Sequence, residues 1–371
     1  MMHQFSKVGL RNLHAGEIVQ RIRDSKRKYL MFGAGRVGLR LMQVFDQDQV
    51  VAFIDNKKAG GMLAGKNILS LSEAKAQYPG IQILLSIKDK TIIASLRKQL
   101  ESEGLSYLTF EDFYLSFLRD CQRDASAYYR RYQSEIDYMI EKHRVVTMPA
   151  PFYDKYAEAA FPYQEEEDGL VSFLRHGKKV FMPRGIYVDL SSYIRMLCAE
   201  QDPDSPHQYF SEKHFVSPED MFVDVGGAEA MTSLDVLDRA KRIVIFEADP
   251  IWKKALEKTF ADARNRVTIV PKYVGTVDDE QTVRIDTYFE GTEENLFFKA
   301  DIEGAEREFL QGAEKTLSRH GTKISICTYH NLPDAEEFQQ FFQSHGYECE
   351  FSKGHTFLNG EFLKGVLRGR K

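Results

Sequence analysis

Three acidic side chains in the second half of the chain lie within or just after runs of β-forming residues. Asp224 lies near the end of M-F-V-D-V, Glu247 directly follows R-I-V-I-F, and Asp301 directly follows L-F-F-K-A. The carboxyl ends of parallel strands form the ligand crevice of open α/β sheets. A carboxylate in that crevice can accept hydrogen bonds from both hydroxyls of a ribose. These positions therefore predict a site for a cofactor that contains a nucleoside.

Two glycines follow the first predicted strand, Met221–Val225. Gly226 and Gly227 can adopt positive φ and let the backbone approach a ligand without a Cβ clash. The second predicted strand, Ile243–Phe246, ends in Glu247, roughly 20 residues further on, as in dinucleotide-binding βαβ units. Strand, glycine turn, helix, strand and acid together predict a nucleoside-cofactor half-site. A βαβ unit with a purely structural glycine turn is the alternative.

A second group of polar residues should meet the first at the same sheet edge. Asp301 and Glu303 follow one predicted strand, and His330 follows another. In a doubly wound sheet, Asp301 and His330 would share the carboxyl edge with Asp224 and Glu247. Asp301 is the candidate to orient or deprotonate an acceptor hydroxyl, and His330 is a candidate base. The alternative for Asp301 and Glu303 is helix capping. Asp301 with His330 could hold a divalent metal, but the ligand set is incomplete in sequence, so no metal ligands are assigned.

A polar, turn-forming segment precedes the cofactor strand. It reads E-Q-D-P-D-S-P-H-Q-Y over residues 200–209 and contains His207. If this loop lies over the carboxyl edge of the sheet, the imidazole of His207 can take a hydroxyl proton near neutral pH. The alternative is a hydrogen-bonded surface loop without a chemical role.

The first part of the chain carries a separate glycine motif. Gly33, Gly35 and Gly38 form G-x-G-x-x-G between a predicted strand and a predicted helix, and the next predicted strand ends at Asp55. Such glycines admit a diphosphate to a helix N-terminus, where free N–H groups favour an anion. The motif predicts a small Rossmann-like domain that binds a nucleotide, NAD or a nucleotide sugar. A degenerate domain used for packing or oligomerisation is the alternative.

The alternation of strands and helices predicts an α/β protein with a doubly wound sheet in its C-terminal domain and a smaller Rossmann-like α/β domain at its N-terminus. A helical lead-in (1–28) precedes the Rossmann-like domain (29–110), which a helical connector and linker (111–174) joins to a larger α/β domain (175–360). Residues 361–371 read as a basic, solvated tail. A continuous helix is predicted over Ala305–Leu317, and Tyr347–Phe351 and Thr356–Leu358 are expected to close the sheet as an antiparallel pair.

The composition is that of an ordinary globular protein, with 43% hydrophobic residues and a net charge of −5. That charge gives no reason to expect a nucleic-acid partner. Four scattered cysteines indicate neither a zinc site nor a disulfide framework. We find no signal peptide and no apolar run long enough to span a membrane, so a cytoplasmic protein is expected. An oligomer remains open.

Four segments resemble the FkbM family of S-adenosylmethionine-dependent methyltransferases: V-D-V-G-G-A-E, I-F-E-A-D-P, F-K-A-D-I-E-G-A-E-R-E-F-L-Q-G-A and I-C-T-Y-H-N. The resemblance covers roughly residues 175–360, and K-A-D-I-E-G-A-E is its most specific block. It implies a class I methyltransferase fold. It also implies O-methylation of a hydroxyl on a small molecule, such as a sugar, glycan or natural product.

The resemblance also assigns roles to residues. Asp224, Gly226 and Gly227 would line the methionine side of S-adenosylmethionine, Glu247 would bind its ribose, and Asp301 would lie near the transferable methyl group. The remaining acidic residues of the matching motifs that are assigned to the cofactor are Glu229 and Asp249. One departure is Ala230, where the family turn leads us to expect glycine; its Cβ would narrow the cofactor pocket.

Two other function classes stay open. The front segments F-G-A-G-R-V-G and F-I-D-N-K resemble small nucleotide-binding domains attached to sugar-modifying enzymes. An NAD-dependent oxidoreductase or epimerase could use that domain, although no Tyr-x-x-x-Lys pair follows it. A non-enzymatic nucleotide sensor with two such units is the third reading.

Overall fold

The computed structural model describes residues 16–87, 89–157, 159–186 and 189–371. The chain divides into two compact units, and each of them is assembled from separated segments. Among the described residues, the first unit holds 16–151 and 356–362, and the second holds 152–355 and 363–371. Residues 1–15 of the predicted lead-in lie outside the described part.

The first unit is built on a six-stranded sheet of order β3-β4-β2-β1-β5-β6. Its strands are β1 Tyr29–Phe32, β2 Val50–Ile54, β3 Met62–Leu63, β4 Lys66–Leu69, β5 Gln82–Leu85 and β6 Tyr107–Leu108. The central strands pair in parallel, whereas β3 and β4 pair antiparallel. Because both faces of a parallel sheet are covered, β1 consists entirely of buried residues.

The described residues of this unit form the α-helices α1 Glu17–Asp24, α2 Arg36–Leu41, α3 Leu71–Gln77, α4 Lys90–Ser102, α5 Phe110–Arg123, α6 Ala127–Arg131 and α7 Gln133–Glu141, and a 3₁₀ helix over Met42–Val44. Helices α5 to α7 belong to the first unit, whereas the sequence predicted a connector from residue 111 onward. Phe113 and Leu118 on α5 and Ile136 on α7 pack in one core with Tyr29 of β1. The apolar face of α5 is what joins it to the sheet.

The second unit begins with helix α8 Asp154–Ala157 and an antiparallel sheet of β7 Gln164–Glu165, β8 Leu170–Arg175 and β9 Lys178–Pro183. Helix α9 Leu190–Glu200 follows. The chain then forms β10 Asp220–Val225, α10 Met231–Val236, β11 Arg242–Phe246, α11 Pro250–Thr259 and β12 Val267–Val270. It continues with the short pair β13 Tyr273–Val274 and β14 Thr282–Val283, then α12 Ile285–Tyr288, β15 Asn295–Ala300, α13 Glu306–Gly312, α14 Glu314–Leu317, β16 Thr322–Cys327, α15 Asp334–Ser344 and β17 Glu348–Phe351.

Two more strands, β18 Thr356–Leu358 and β19 Glu361–Leu363, form a hairpin, and β20 Val366–Arg370 completes the main sheet. The order of the seven-stranded sheet is β12-β11-β10-β15-β16-β20-β17. Strands β10, β11, β12, β15 and β16 pair in parallel, whereas β20 is antiparallel to both of its neighbours. The order reverses at β10, so the carboxyl ends of β10 and its neighbours form a ligand crevice. This confirms the predicted α/β class with a doubly wound sheet.

The basic tail predicted at 361–371 and the antiparallel pair predicted to close the sheet are both wrong. β20 lies inside the sheet, and Val366 and Leu367 are fully buried. The guanidinium of Arg368 is buried too, and it donates to the carbonyl of Gln208 at 2.6 Å. Strand β17 pairs with β20, whereas β18 pairs with β19. A buried arginine with backbone acceptors is compatible with a strand, which the composition of the segment concealed.

The predicted helix Ala305–Leu317 is interrupted between α13 and α14. Gly312 ends α13, and a Cβ on it would lie 1.9 Å from the carbonyl oxygen of Gly275. The close approach of these two backbones explains a glycine where the helical pattern continues. Among the helices that the structure describes, none combines the length and apolar character that crossing a bilayer requires.

Candidate active site

The glycine turn after β10 is packed tightly against the neighbouring strand end. Gly226 has φ +81°, and a Cβ on it would lie 2.1 Å from the carbonyl oxygen of Asp301. A Cβ on Gly227 would lie 2.4 Å from the side chain of Ile245. Both glycines are therefore required by the fold itself, besides any approach of a ligand.

Ala230 occupies a left-handed position at the start of α10. Its φ is +51°, and Ala228 in the same turn has φ +44°. Backbone of this kind favours glycine, which agrees with the glycine expected there. The Ala230 side chain is 1% exposed and packs in the core beside Met231 and Leu234. The expected narrowing of a cofactor pocket stays a prediction.

Asp224 is fully buried and has two partners. Its Oδ2 accepts a hydrogen bond from Ser233 Oγ at 2.6 Å, and its Oδ1 lies 2.9 Å from Lys299 Nζ. The same ammonium group donates to the carbonyl of Gly226 at 2.7 Å. Burial would lower the pKa of Lys299, but Asp224 and then Asp301 raise it well above its usual value. The Asp224–Lys299 ion pair thus holds the carbonyl of Gly226, and with it the glycine turn, in place.

Glu247 lies at the tip of β11 and bridges two backbone segments. Its Oε2 accepts from the N–H of Ala228, and its Oε1 accepts from the N–H of Asp249, each at 2.8 Å. Burial raises the pKa of Glu247 despite these bonds. Asp249 itself caps α11 by accepting from the N–H of Ile251 at 3.0 Å. Glu247 keeps unused lone pairs on both oxygens, so a diol can still bind it.

Glu229 also lies in the glycine turn and is half-buried. Tyr193 donates a hydrogen bond to its Oε2 at 3.3 Å. Burial, which outweighs the nearby charge of Lys299, raises the pKa of Glu229 to about 7. The carboxyl group can therefore gain or lose a proton near neutral pH.

Asp301 lies at the carboxyl end of β15 in a network of aromatic and imidazole side chains. Tyr209 donates to Oδ2 at 2.9 Å, and Nε2 of His207 lies 3.4 Å from the same oxygen. Tyr329 is 3.4 Å from Oδ1 and forms a 2.7 Å hydrogen bond with His207 Nε2. One fifth of the Asp301 side chain is exposed, so another molecule can reach it.

The charges around Asp301 are coupled. Burial would raise the pKa of Asp301, but His207 and then His330 hold it well below its usual range. Burial would lower the pKa of His207, but Glu200 and Asp301 raise it. The later part of the 200–209 segment is buried, and the His207 side chain is 8% exposed. The predicted position of His207 over the sheet edge is what the structure has.

His330 meets Asp301 from the next strand end. Its Nδ1 lies 2.8 Å from Glu306 Oε1, and its Nε2 lies 3.6 Å from Asp301 Oδ1. Burial would lower the pKa of His330, but Glu306, Asp301 and Glu303 raise it to about 9. These acidic neighbours favour the protonated form of His330, which suits charge balance better than proton abstraction.

The structure brings together most of the predicted residues of the second unit. The Asp224, Glu247, Asp301 and His330 side chains all belong to strand ends on one edge of the sheet, and the His207 loop joins them. Sequence reasoning missed the partners that hold these groups: Glu200, Tyr209, Ser233, Lys299, Glu306 and Tyr329. A lysine inside the apolar run L-F-F-K-A was one available signal, because a buried lysine needs an anionic partner.

The first unit adopts the turn that its glycine motif predicts. Gly33 has φ +121°, and a Cβ on Gly38 would lie 2.5 Å from the carbonyl oxygen of Gly33. Lys58 Nζ donates to the carbonyl of Ala34 at 2.6 Å, and Asp55 accepts from a nearby backbone N–H at 3.1 Å. Helix α2 begins after Gly35 and has six residues. Packing alone accounts for Gly33 and Gly38, and nucleotide binding here stays a prediction.

Comparisons with known proteins bear on the second unit. Residues 271–349 match the model of the methyltransferase FkbM domain. No curated protein matches the chain in a sequence search. Similar solved structures include a methyltransferase FkbM from Methylobacillus flagellatus KT, with 17% identity over 96% of this chain and 94% of that chain and a TM-score of 0.47.

Two further structures are less similar. A precorrin-6y C5,15-methyltransferase from Geobacter metallireducens GS-15 has 14% identity over 51% of this chain and 94% of that chain, with a TM-score of 0.32. An rRNA methylase from Streptococcus thermophilus has 12% identity over 42% of this chain and 89% of that chain, with a TM-score of 0.29. Because all three TM-scores are below 0.5, the likeness to methyltransferases rests on the match to the FkbM domain and on the strand order of the main sheet.

Proposed function

We propose that this chain, whose residues 271–349 match the FkbM methyltransferase domain, transfers a methyl group from S-adenosylmethionine to a hydroxyl oxygen of a small molecule. The domain match supports a methyltransferase that uses S-adenosylmethionine. A sugar, a glycan or a natural product as acceptor is our more specific proposal. One observation supports methyl transfer at this site: the matched segment contains Asp301, Glu306 and His330, whose network lies on the same sheet edge as Glu247.

The reaction needs little covalent help from the protein. The acceptor oxygen attacks the methyl carbon of the sulfonium, the new O–C bond forms, and the C–S bond breaks with its electron pair going to sulfur. The acceptor proton leaves to a base, and the products are the methyl ether and S-adenosylhomocysteine. Holding oxygen, carbon and sulfur in line supplies about 7–11 kcal/mol of barrier reduction in favourable cases.

Each residue of the site has a role in this proposal. The glycine turn and Glu229 would face the cofactor, and Glu247 would accept hydrogen bonds from both ribose hydroxyls. Asp301 would accept a hydrogen bond from the acceptor hydroxyl, since its carboxylate stays ionised and partly exposed. His207, in its neutral form, would receive the proton, because its Nε2 lies 3.4 Å from Asp301.

Calorimetric titration of the full chain with S-adenosylhomocysteine tests the cofactor half of this proposal. We expect saturable binding that weakens about 10- to 100-fold in Glu247→Ala, because hydrogen bonds to a charged group contribute roughly 1.5–3 kcal/mol. Glu257→Ala, an exposed glutamate on α11, is the matched control and should bind as the wild type does.

The fluorescence of Trp252, the one tryptophan of the chain, reports whether each variant keeps the second unit folded. Unchanged affinity in a folded Glu247→Ala protein would remove Glu247 from the ribose site. Binding of NAD or a UDP-sugar without any binding of S-adenosylhomocysteine would overturn the proposed function and transfer the chemistry to the first unit.

A further inference from the structure

Two groups of side chains in the described part of the chain have their potential ligand atoms within 4.8 Å of one another. The first group is His207, Asp301 and Cys327, and the second is Asp301, Glu306 and His330. Both contain Asp301, so both concern the site of the proposed methyl transfer. They differ in whether the space between the ligand atoms is free.

The space inside the first group is already filled. The hydroxyl of Tyr209 lies 2.9 Å from Asp301 Oδ2, 3.4 Å from His207 Nε2 and 3.7 Å from Cys327 Sγ. A hydroxyl at these distances from all three ligand atoms leaves no room for an ion between them. The first group is therefore a hydrogen-bonded network.

The second group has the spacing of ligands around one ion. One ligand atom from each of Asp301, Glu306 and His330 lies within 4.8 Å of the other two. Glu306 Oε1 lies 2.8 Å from His330 Nδ1, and Asp301 Oδ1 lies 3.6 Å from the other ring nitrogen, Nε2. Metal–ligand bonds of about 2.0–2.2 Å place two ligands of one ion roughly 3 to 4.4 Å apart. A single ion would bind one nitrogen of the neutral His330 ring, so its binding would displace the ring proton and move the two carboxylates toward that nitrogen.

A separate observation points to a missing partner. Glu306 is 0% exposed, and its Oε1 accepts from both His330 and the N–H of Ile302, the latter at 3.0 Å. Its other oxygen, Oε2, is buried without a hydrogen-bond partner among the described residues. Burying a carboxylate oxygen without a donor costs free energy, and a bound cation would offset that cost.

We propose that Asp301, Glu306 and His330 bind one divalent cation at the carboxyl edge of the main sheet. Two carboxylates and one imidazole suit Mn²⁺ or Mg²⁺ better than a thiolate-preferring metal. The three ligands come from the ends of β15 and β16 and from α13, which keeps them on rigid elements. The role of the ion, although not its binding, rests on the proposed methyl transfer.

An ion held by three protein groups keeps open positions for other ligands. The oxygen that accepts the methyl group can occupy one of them, and a neighbouring oxygen of the same molecule can occupy another. The ion would lower the pKa of the bound hydroxyl and so favour its attack on the methyl carbon. The proposal therefore favours acceptors with two adjacent oxygen atoms.

Titration of EDTA-treated full-length protein with Mn²⁺, followed by the electron paramagnetic resonance signal of the free ion, tests this site without cofactor or acceptor. We expect one ion per chain, displaced by excess Mg²⁺. Glu306→Gln and His330→Gln should each weaken Mn²⁺ binding at least 10-fold. Glu336→Gln, an exposed position on α15, should leave the affinity unchanged.

Trp252 fluorescence again verifies folding, and His330→Gln gives an independent answer if Glu306→Gln does not fold. The site is refuted if the wild type binds no stoichiometric Mn²⁺ below about 1 mM, a free energy of roughly −4 kcal/mol. It is also refuted if both variants bind Mn²⁺ as the wild type does. Failure of S-adenosylhomocysteine binding would instead overturn the proposed function and leave the Mn²⁺ result standing.

Discussion

At the scale of single residues, the buried ion pair between Asp224 and Lys299 decides how the cofactor turn is held. The motif assigned Asp224 to the cofactor, but the structure occupies both of its oxygens with Ser233 and Lys299. A sequence shows which residue is acidic and near a strand end. It does not show which lysine, 75 positions later, will neutralise that charge inside the sheet.

Asp224→Asn should therefore destabilise the second unit by about 3–5 kcal/mol, since it leaves the Lys299 ammonium buried without a counter-charge. The double variant Asp224→Asn/Lys299→Met should recover much of that loss. Urea unfolding followed by Trp252 fluorescence measures both changes.

Asp238→Ala is the comparison, because Asp238 pairs with Lys178 at 2.6 Å with 80% of its side chain exposed. It should change the unfolding free energy by less than about 1 kcal/mol. The ion pair would not support the turn if Asp224→Asn lowered the unfolding free energy no more than Asp238→Ala does. The same would follow if the double variant lost as much as Asp224→Asn and Lys299→Met lose separately, added together.

At the scale of elements, the strands were the easiest to predict and their environment the hardest. Strands β10, β11 and β15 each differ by one residue from the apolar runs that predicted them. These strands are buried on both faces, so their composition identifies them. The partners of Asp301 could not be predicted, because Tyr209 and Tyr329 reach it from loops without a periodic pattern.

The glycine turn offers a test at this scale. Gly226→Ala places a Cβ 2.1 Å from the carbonyl oxygen of Asp301, at φ +81°. The left-handed backbone costs about 1–2 kcal/mol, and the overlap adds about 1–3 kcal/mol. We expect the second unit to lose both amounts in urea unfolding followed by Trp252.

Gly185→Ala separates the two contributions. Gly185 has φ +80°, and a Cβ there would meet no atom within 4 Å. This variant should lose only the backbone amount. Equal losses for the two variants would show that the turn and the end of β15 can move apart freely.

At the scale of the whole molecule, the division of the chain into two discontinuous units was the feature hardest to predict from the sequence. The hairpin of β18 and β19 belongs to the first unit although it follows most of the second in the chain. No local pattern indicates such a return, because the pairing depends on contacts between residues far apart in sequence. Phe362 from the hairpin stacks on Tyr132, with ring centroids 4.8 Å apart.

The hairpin also gives the first unit a pH dependence. Burial raises the pKa of Glu361 to about 7, although its Oε1 accepts from the N–H of Val19 at 3.4 Å. The folded unit therefore binds a proton that the unfolded chain releases near pH 4.5, so its stability falls as the pH rises from about 4.5 to 7. The loss above pH 7 amounts to about 3 kcal/mol at most.

Glu361→Gln should remove this dependence and make the first unit more stable than the wild type at pH 8, with little difference near pH 4.5. Differential scanning calorimetry at both pH values measures it. Glu141→Gln, with 77% of that side chain exposed, should not alter the pH dependence. A wild-type unit equally stable at both pH values would contradict a buried neutral Glu361.

Because the chain returns to the first unit, the last residues of that unit's core are synthesised long after the others. Phe357 and Phe362 leave the ribosome only after the roughly 200 residues that separate residue 151 from residue 356. At about 5–20 residues per second, the aromatic cluster around Tyr132 waits on the order of 10–40 s for its last members. We expect the nascent first unit to expose during that interval rings that later become buried, and a chaperone that recognises aromatic surfaces to bind it.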